Sequence, residues 1–565
     1  MATLAARIDR PALPPAVEEQ GLALTYHRLM LMMLLFVGVT FVIVARLAML
    51  QVFTDRSGAA QLANPLLPPR GDIVDRNNIP LAQTINAWSI AVHPQQIIGD
   101  RRELAERLAA LMPEHNAAQY RAMLSSHANF VYLSRRALPD LVAAVNALGE
   151  PAIVFAREPE RLYPQTDMAG HVLGWTNMEG HGVSGMERVL DQRLLDPAQR
   201  DNPVALSIDS RVQSILESEL ASAVLSMQAE GGTGIVMDVQ TGEVIAMASA
   251  PTFNPNAAGH FDPSALYNRA TMGAYELGSV FKPITIAAAM DAGVITSVHQ
   301  SWDASPLHVG RFEIHDDDPH APMLDIPHII TLSSNIAAAR IADAMGAERM
   351  IAAFRSLGFD RAPQIELAER TRSIWPRDWG RLTVMTSGFG HSLAITPLHL
   401  ATAYCALVNG GIWHPATLMR VAPGRQDTGR RVFSAETSYR IRQLLRLNVE
   451  QGTGRRADVP GFRVGGKTGT AEKAVAGGYN RHSNVSTFAA AFPMEAPRYV
   501  VLVMMDAARP TEANSGVITA AFTAAPVVGR VIQRAGTLLG IIPDTSRDID
   551  TAELMPPAAA PPAAH

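Results

Sequence analysis

Three short segments, far apart along the chain, constrain this protein more than any other feature, because their chemistry makes sense only if the fold brings them together. They are Ser279-Val280-Phe281-Lys282, Ser333-Ser334-Asn335 and Lys467-Thr468-Gly469-Thr470. Lysine singles them out. Of 48 basic residues only three are lysine, namely Lys282, Lys467 and Lys473, and two of these fall in the first and third segments. Arginine serves wherever a positive charge or a long solvated side chain suffices. A lysine kept against that bias points to a site where the cation must be able to lose its proton, which arginine effectively cannot do.

The surroundings of each segment agree with this. Gly278 before and the apolar run 284–290 after put Ser279 near a helix N-terminus, and the i, i+3 spacing lays its hydroxyl beside the Lys282 amine. A serine hydroxyl is a poor nucleophile until a base takes its proton. A lysine whose pKa is lowered by burial or by a neighbouring cation can be that base. The helix N-terminus adds a backbone N–H for a developing oxyanion. Ser333 and Asn335 open a second helical pattern, where a hydroxyl and an amide can relay a proton and orient a substrate amide. An apparent strand at 462–466 leads into Lys467, and in an extended chain Thr468 and Thr470 share one face. Gly469, without a side chain, lets a ligand approach the backbone. That set suits a carboxylate held by two hydroxyls and a cation, with the Thr470 N–H free for the oxyanion. Taken singly, each motif also fits a capped helix or a turn with an exposed lysine. In this order and these contexts they form the S-x-x-K, S-x-N, K-T-G series of serine acyl-transfer sites.

At 565 residues the chain is too long for one core. A polar, proline-interrupted stretch at 1–28 reads as a tail, and the uncharged run 29–45, continued past Arg46 to residue 50, reads as a retained membrane-spanning signal-anchor. Residues 51–200 mix small elements, with helical patterns near 101–112 and 139–148 and a tight turn at Asn77-Asn78. From 201 to 540 a short strand at 204–208, a helix at 210–228, a hairpin of 234–239 with 243–248, many helices, strands at 485–492 and 499–505 and a last helix at 516–535 predict an α+β domain. Its mostly antiparallel sheet would be covered by helices. Residues 541–565, of low complexity from 555 on, read as a disordered tail. A net charge of −5 makes no electrostatic case for nucleic acid. The lone Cys405, in an apolar run, excludes an intrachain disulfide and a cysteine-rich metal site and is expected to be buried.

The motifs, together with RGDIVDRNNIPLA (70–82), Arg161, GHVLGWTNMEGHGVSGMERVLDQRL (170–194), GGTGIVMDVQTGEVIAMASAPTFNPN (231–256) and SGFGHSLAITPLHLATAYCALVNGG (387–411), resemble those of class B penicillin-binding proteins. The 170–194 and 387–411 stretches are most similar to the septal branch, which is preferred over the elongation branch. The resemblance implies a transmembrane helix, an elongated pedestal of dimerisation type and a penicillin-binding domain akin to serine β-lactamases. It implies attack by Ser279 on the D-Ala-D-Ala carbonyl of a peptidoglycan stem pentapeptide, with Lys282 as base. Ser333 would relay a proton, Asn335 would hold the donor amide, and Lys467, Thr468 and Thr470 would bind the terminal carboxylate. The Ser279 and Thr470 N–H groups would form the oxyanion hole. An acceptor amine would resolve the acyl-enzyme, β-lactams would inhibit covalently, and no metal or organic cofactor is called for. The implied partners are a polytopic glycan polymerase and other division proteins, with the tail in the cytoplasm, the anchor in the inner membrane and the catalytic domain in the periplasm. Val280 departs from the commoner Thr after the nucleophile. Lys473 is left open between a substrate contact and a surface charge. The same three motifs also occur in β-lactamases and β-lactam sensors, which have no need of residues 51–200, and an inactive division scaffold is the third alternative.

Overall fold

The computed structural model describes residues 30–42, 69–257, 261–422, 424, 429–475 and 478–554. Residues 30–42 form a helix with its large apolar side chains exposed. The rest of the expected anchor, at 29 and 43–50, lies outside the described residues, as do the 1–28 tail and everything from 555 on. Among the described residues no helix is long and apolar enough to cross a membrane.

After Arg70 the chain forms β1 (Ile73–Val74) and reverses at the expected asparagine turn, with Asn78 at φ 64°. Asp75 makes the turn by accepting from the N–H groups of Asn77 at 2.7 Å and Ile79 at 2.8 Å. β2 (Pro80–Val92) follows, flanked by β3 (Val131–Ala137) and β4 (Ile153–Leu162), while β5 (Val204–Ala205) returns parallel to β1. The helices Arg101–Leu111 and Pro139–Asn146 stand where the periodicity puts them. This part of the chain contains two cores. Ile90, Leu108, Tyr120, Leu133 and Ile153 form a separate head cluster. Ile73, Leu81, Tyr163, Leu173 and Met186 instead belong to the same cluster as Ile235, Phe281 and Leu400. A seam in the packing therefore runs across β2, within the 51–200 part of the chain.

The second sheet contains β6 (Gly231–Asp238), β7 (Val244–Ala250), β8 (Gly465–Val475), β9 (Gly478–Phe492) and β10 (Tyr499–Asp506), in the order β8-β9-β10-β6-β7 and all antiparallel. Every residue of β6, β7 and β10 is buried, because helices cover both faces. Val501, Val503 and Met505 face α1 (Ser210–Ser226) and the last helix, Ala524–Ala535, in one cluster. The intervening Val500, Leu502 and Met504 pack in the other cluster with the helix Pro397–Val408. Cys405 lies within that helix, buried as expected, and burial pushes its thiol pKa up.

Several boundaries differ from the sequence reading, among them the strand expected at 485–492, which starts at Gly478. Of 204–208 only Val204–Ala205 pairs as a strand. The strand placed at 462–466 begins instead at Gly465, so that Lys467–Thr470 lie inside an edge strand. The last helix starts at Ala524, because the stretch before it is spent on turns. Residues 541–554 are not a loose tail: Ile541, Ile549 and Leu554 are buried, and Asp548 pairs with Arg446 at 2.7 Å.

Candidate active site

Ser279 lies in a single 3₁₀ turn, Gly278–Phe281, which runs directly into α2 (Lys282–Asp291) with Pro283 in its first turn. Three glycines make this turn possible. Gly278 has φ 65°, and a Cβ there would sit 2.7 Å from the Thr470 carbonyl oxygen. Gly390, at φ 85°, packs on the Gly278 carbonyl and accepts the Gly278 N–H at 3.2 Å. Gly469 lies against the Leu277 carbonyl and Val280. The clearance on the Cβ side of Gly469 is thus taken up by the protein itself. Val280, the departure from the commoner Thr, is fully buried, and its carbonyl accepts from the buried Tyr404 hydroxyl at 2.9 Å.

The two motif lysines converge on one hydroxyl. Lys282 Nζ lies 2.8 Å from Ser279 Oγ, 2.8 Å from Asn335 Oδ1 and 3.1 Å from Ser333 Oγ, and it also donates to the Ser333 carbonyl. Lys467 Nζ reaches the same Ser333 Oγ at 2.9 Å. Both lysines are fully buried. Burial pushes Lys282 down to about 7, against the opposing pull of Asp316 and Asp317. Lys467 is also lowered, first by burial and then by repulsion from Lys282. A pair so placed titrates as a unit. Both amines are thus held below the usual lysine range.

Asp316, which sequence reasoning missed, organises the second segment. Ser333 sits at φ 61°, and the helix α3 (Asn335–Ser356) starts directly after Ser334. The Asp316 carboxylate accepts from Ser334 Oγ at 2.6 Å, from Ile336 N at 3.0 Å and from the Asn335 N–H, while His320 Nε2 lies 2.6 Å away. It caps α3 from outside the helix's own sequence, as a carboxylate at a helix N-terminus does. The only trace in the sequence is the Asp316-Asp317-Asp318 run, which reads as a solvated loop. Asp316→Ala should loosen Ser333 and Asn335 and slow acylation at Ser279 by about 10²-fold, measured as the second-order rate of labelling by a fluorescent penicillin. An unchanged rate would refute the positioning role.

On β8 the alternation holds. Thr468 Oγ1 lies 2.7 Å from Thr453 Oγ1, a residue of the turn after helix Ala435–Gln451 that sequence reading also missed. Thr470 Oγ1 accepts from Ala520 N at 3.1 Å, which leaves its own proton to donate. Lys473 is not at the site: it bridges Glu230 and Asp506, each at 2.8 Å, and ties β8 to the far side of β9.

Comparison with known proteins agrees with this geometry. The penicillin-binding protein transpeptidase domain model matches residues 232–527, and the penicillin-binding protein dimerisation domain model matches 65–195. The chain is 38% identical to a probable peptidoglycan D,D-transpeptidase FtsI of Caulobacter vibrioides, over 84% of this chain and 82% of that protein. It is 28% identical to the peptidoglycan D,D-transpeptidase FtsI of Escherichia coli, over 84% of each. Among solved structures, penicillin-binding protein 3 of Mycobacterium tuberculosis complexed with aztreonam is similar, with a TM-score of 0.65 at 26% identity. That match covers 84% of this chain and 96% of that one.

Proposed function

Because the chain belongs to the class B penicillin-binding proteins, we propose that it is a septal peptidoglycan D,D-transpeptidase working through an acyl-enzyme on Ser279. The observation that carries the reading is a fully buried lysine amine, depressed to about 7, standing 2.8 Å from that hydroxyl. The terminal carboxylate of a stem pentapeptide docks on Lys467, Thr468 and Thr470. A negative charge there favours the protonated form of Lys467 and leaves Lys282 as the free base. Lys282 takes the Ser279 proton as Oγ attacks the carbonyl between the two D-Ala residues. The N–H groups of Ser279 and Thr470 stabilise the oxyanion. The C–N bond breaks, and the proton passes from Lys282 through Ser333 Oγ to the departing D-Ala amine. Asn335 holds the donor amide and the lysine. An acceptor amine then attacks the ester and yields its proton to Lys282, and Ser279 Oγ–H is restored as the crosslink forms.

Anchoring by residues 29–50 in the inner membrane, a periplasmic catalytic domain and a polytopic glycan polymerase as partner complete the proposal. Its support is the uncharged run ahead of residue 46 and the septal-type relatives. The test is labelling of the full chain with a fluorescent penicillin, followed by mapping of the modified residue. A stable adduct on Ser279, absent in Ser279→Ala, is expected. An adduct elsewhere refutes the nucleophile, and rapid turnover of penicillin would replace the transpeptidase by a hydrolase.

A further inference from the structure

A second cleft, of about 650 Å3, lies between the N-terminal sheet and the start of the catalytic part, and none of the active-site residues lines it. Its walls come from β3, β4, the 175–180 loop and Asn256. Arg70, Arg135, Arg136 and Arg161 all line it, an unusual concentration of guanidinium groups. The acids that answer them are shared. Glu160 serves both Arg135 and Arg136, at 3.1 Å each, and Glu187 serves both Arg70 at 2.6 Å and Arg161 at 2.7 Å. Asp191 adds a second partner for Arg70 at 2.6 Å, and the exposed Glu114 stands on the lining.

Two guanidinium donors remain over. Arg161, 92% buried by its 8% exposure, spends Nε on Glu187 and Nη1 on the Gly71 carbonyl, and its Nη2 has no partner among the described residues. Arg135, whose guanidinium lies over the Tyr132 ring at 5.0 Å, likewise has a buried Nε with no hydrogen-bond partner among the described residues. A buried charged donor left unmet is costly, and a ligand carboxylate is the natural acceptor for a guanidinium fork. Trp175, Met178, Pro159 and Pro255 supply an apolar wall beside these donors, and this combination is the usual make-up of a small-ligand site. Asn256 links the cleft to the catalytic part, accepting from Arg136 Nη1 at 2.9 Å and bonding the Tyr163 backbone through both ends of its amide.

We infer that this cleft is a second binding site for a carboxylate-bearing peptide, namely an uncrosslinked stem peptide of the polymer, separate from the site at Ser279. The inference rests on the transpeptidase reading, which supplies that peptide as the acidic ligand at hand. Held there, a strand would stay on the enzyme between crosslinks.

The test uses the full chain in detergent, acylated to completion with penicillin so that the active site is blocked. The probe is the free stem pentapeptide ending in D-Ala-D-Ala, titrated calorimetrically. The acylated chain should still bind it at one site. Arg135→Gln should weaken that binding about tenfold, the cost of one charge-assisted hydrogen bond, and Arg135→Lys should recover part of it. Amidation of the probe's side-chain carboxylates should abolish binding. Three results would overturn the inference: no binding to the acylated chain, equal binding by Arg135→Gln, or equally tight binding of an ordinary L-peptide of matched acidity, which would make this a dock for a protein segment. A failure of the acylation step itself would instead bring down the active-site reading.

Discussion

Acylation of Ser279 by penicillin should fall by about 10²–10⁴-fold when Lys282 is replaced by methionine, the usual worth of a positioned general base. Lys282→Arg should fall as far, although it keeps the charge, because a guanidinium cannot accept the proton. The pH profile separates this role from a merely structural one. Only neutral lysine can take the serine proton, so the wild-type rate should climb with pH through about 7, where burial has moved the Lys282 amine. That limb should vanish in Lys282→Met, leaving a flat residual rate. Stopped-flow acylation across pH 5–9 measures both. A climbing limb that survives in Lys282→Met, with its midpoint moved up by the loss of repulsion from Lys282, would hand the base role to Lys467, whose amine shares Ser333 Oγ with Lys282.

Glu187→Ala should destabilise the protein by about 3–5 kcal/mol, the cost of stripping a buried ion-pair network of its shared carboxylate. Glu187 is fully buried and holds Arg70 through one oxygen and Arg161 through the other. Its removal leaves two nearly buried guanidinium groups facing each other, only one of which retains an acid, Asp191. Chemical denaturation of the wild type and variant gives the difference directly. A loss below about 1 kcal/mol, the range of surface pairs, would show that water enters and solvates the arginines.

The parts of the site legible in the sequence were those whose chemistry needs a particular residue type. Lysine in an arginine-rich chain marked Lys282 and Lys467, and the i, i+3 spacing predicted the 2.8 Å approach to Ser279. What stayed hidden acts through position. Asp316 looks like a solvated acid until α3 is seen to begin on it, and Thr453 looks like any turn threonine until β8 lies beside it. Gly469 signals a close approach by its missing side chain, and the sequence does not say that Leu277 and Val280 fill the space on its Cβ side. Long-range pairing also explains the misplaced start of β8, because its register is set by β9, a partner that the local pattern at 462–466 does not reveal. The hairpin β6–β7 and the helix at 210 were legible because both are decided within a few residues of themselves.

The division of the N-terminal part into two cores bears on how the protein can be cut. A fragment beginning at 201 would remove β1, the parallel neighbour of β5, and would strip Ile73, Leu81 and Met186 from the core that houses Phe281. It would also take away Asp75, whose carboxylate accepts from Ser210 Oγ at 2.7 Å at the start of α1. The economical excision is the head alone, joining β2 to β4 with a short loop in place of residues 93–152. The remaining chain would keep the base, the catalytic core and the Arg70–Glu187–Arg161 network in one piece.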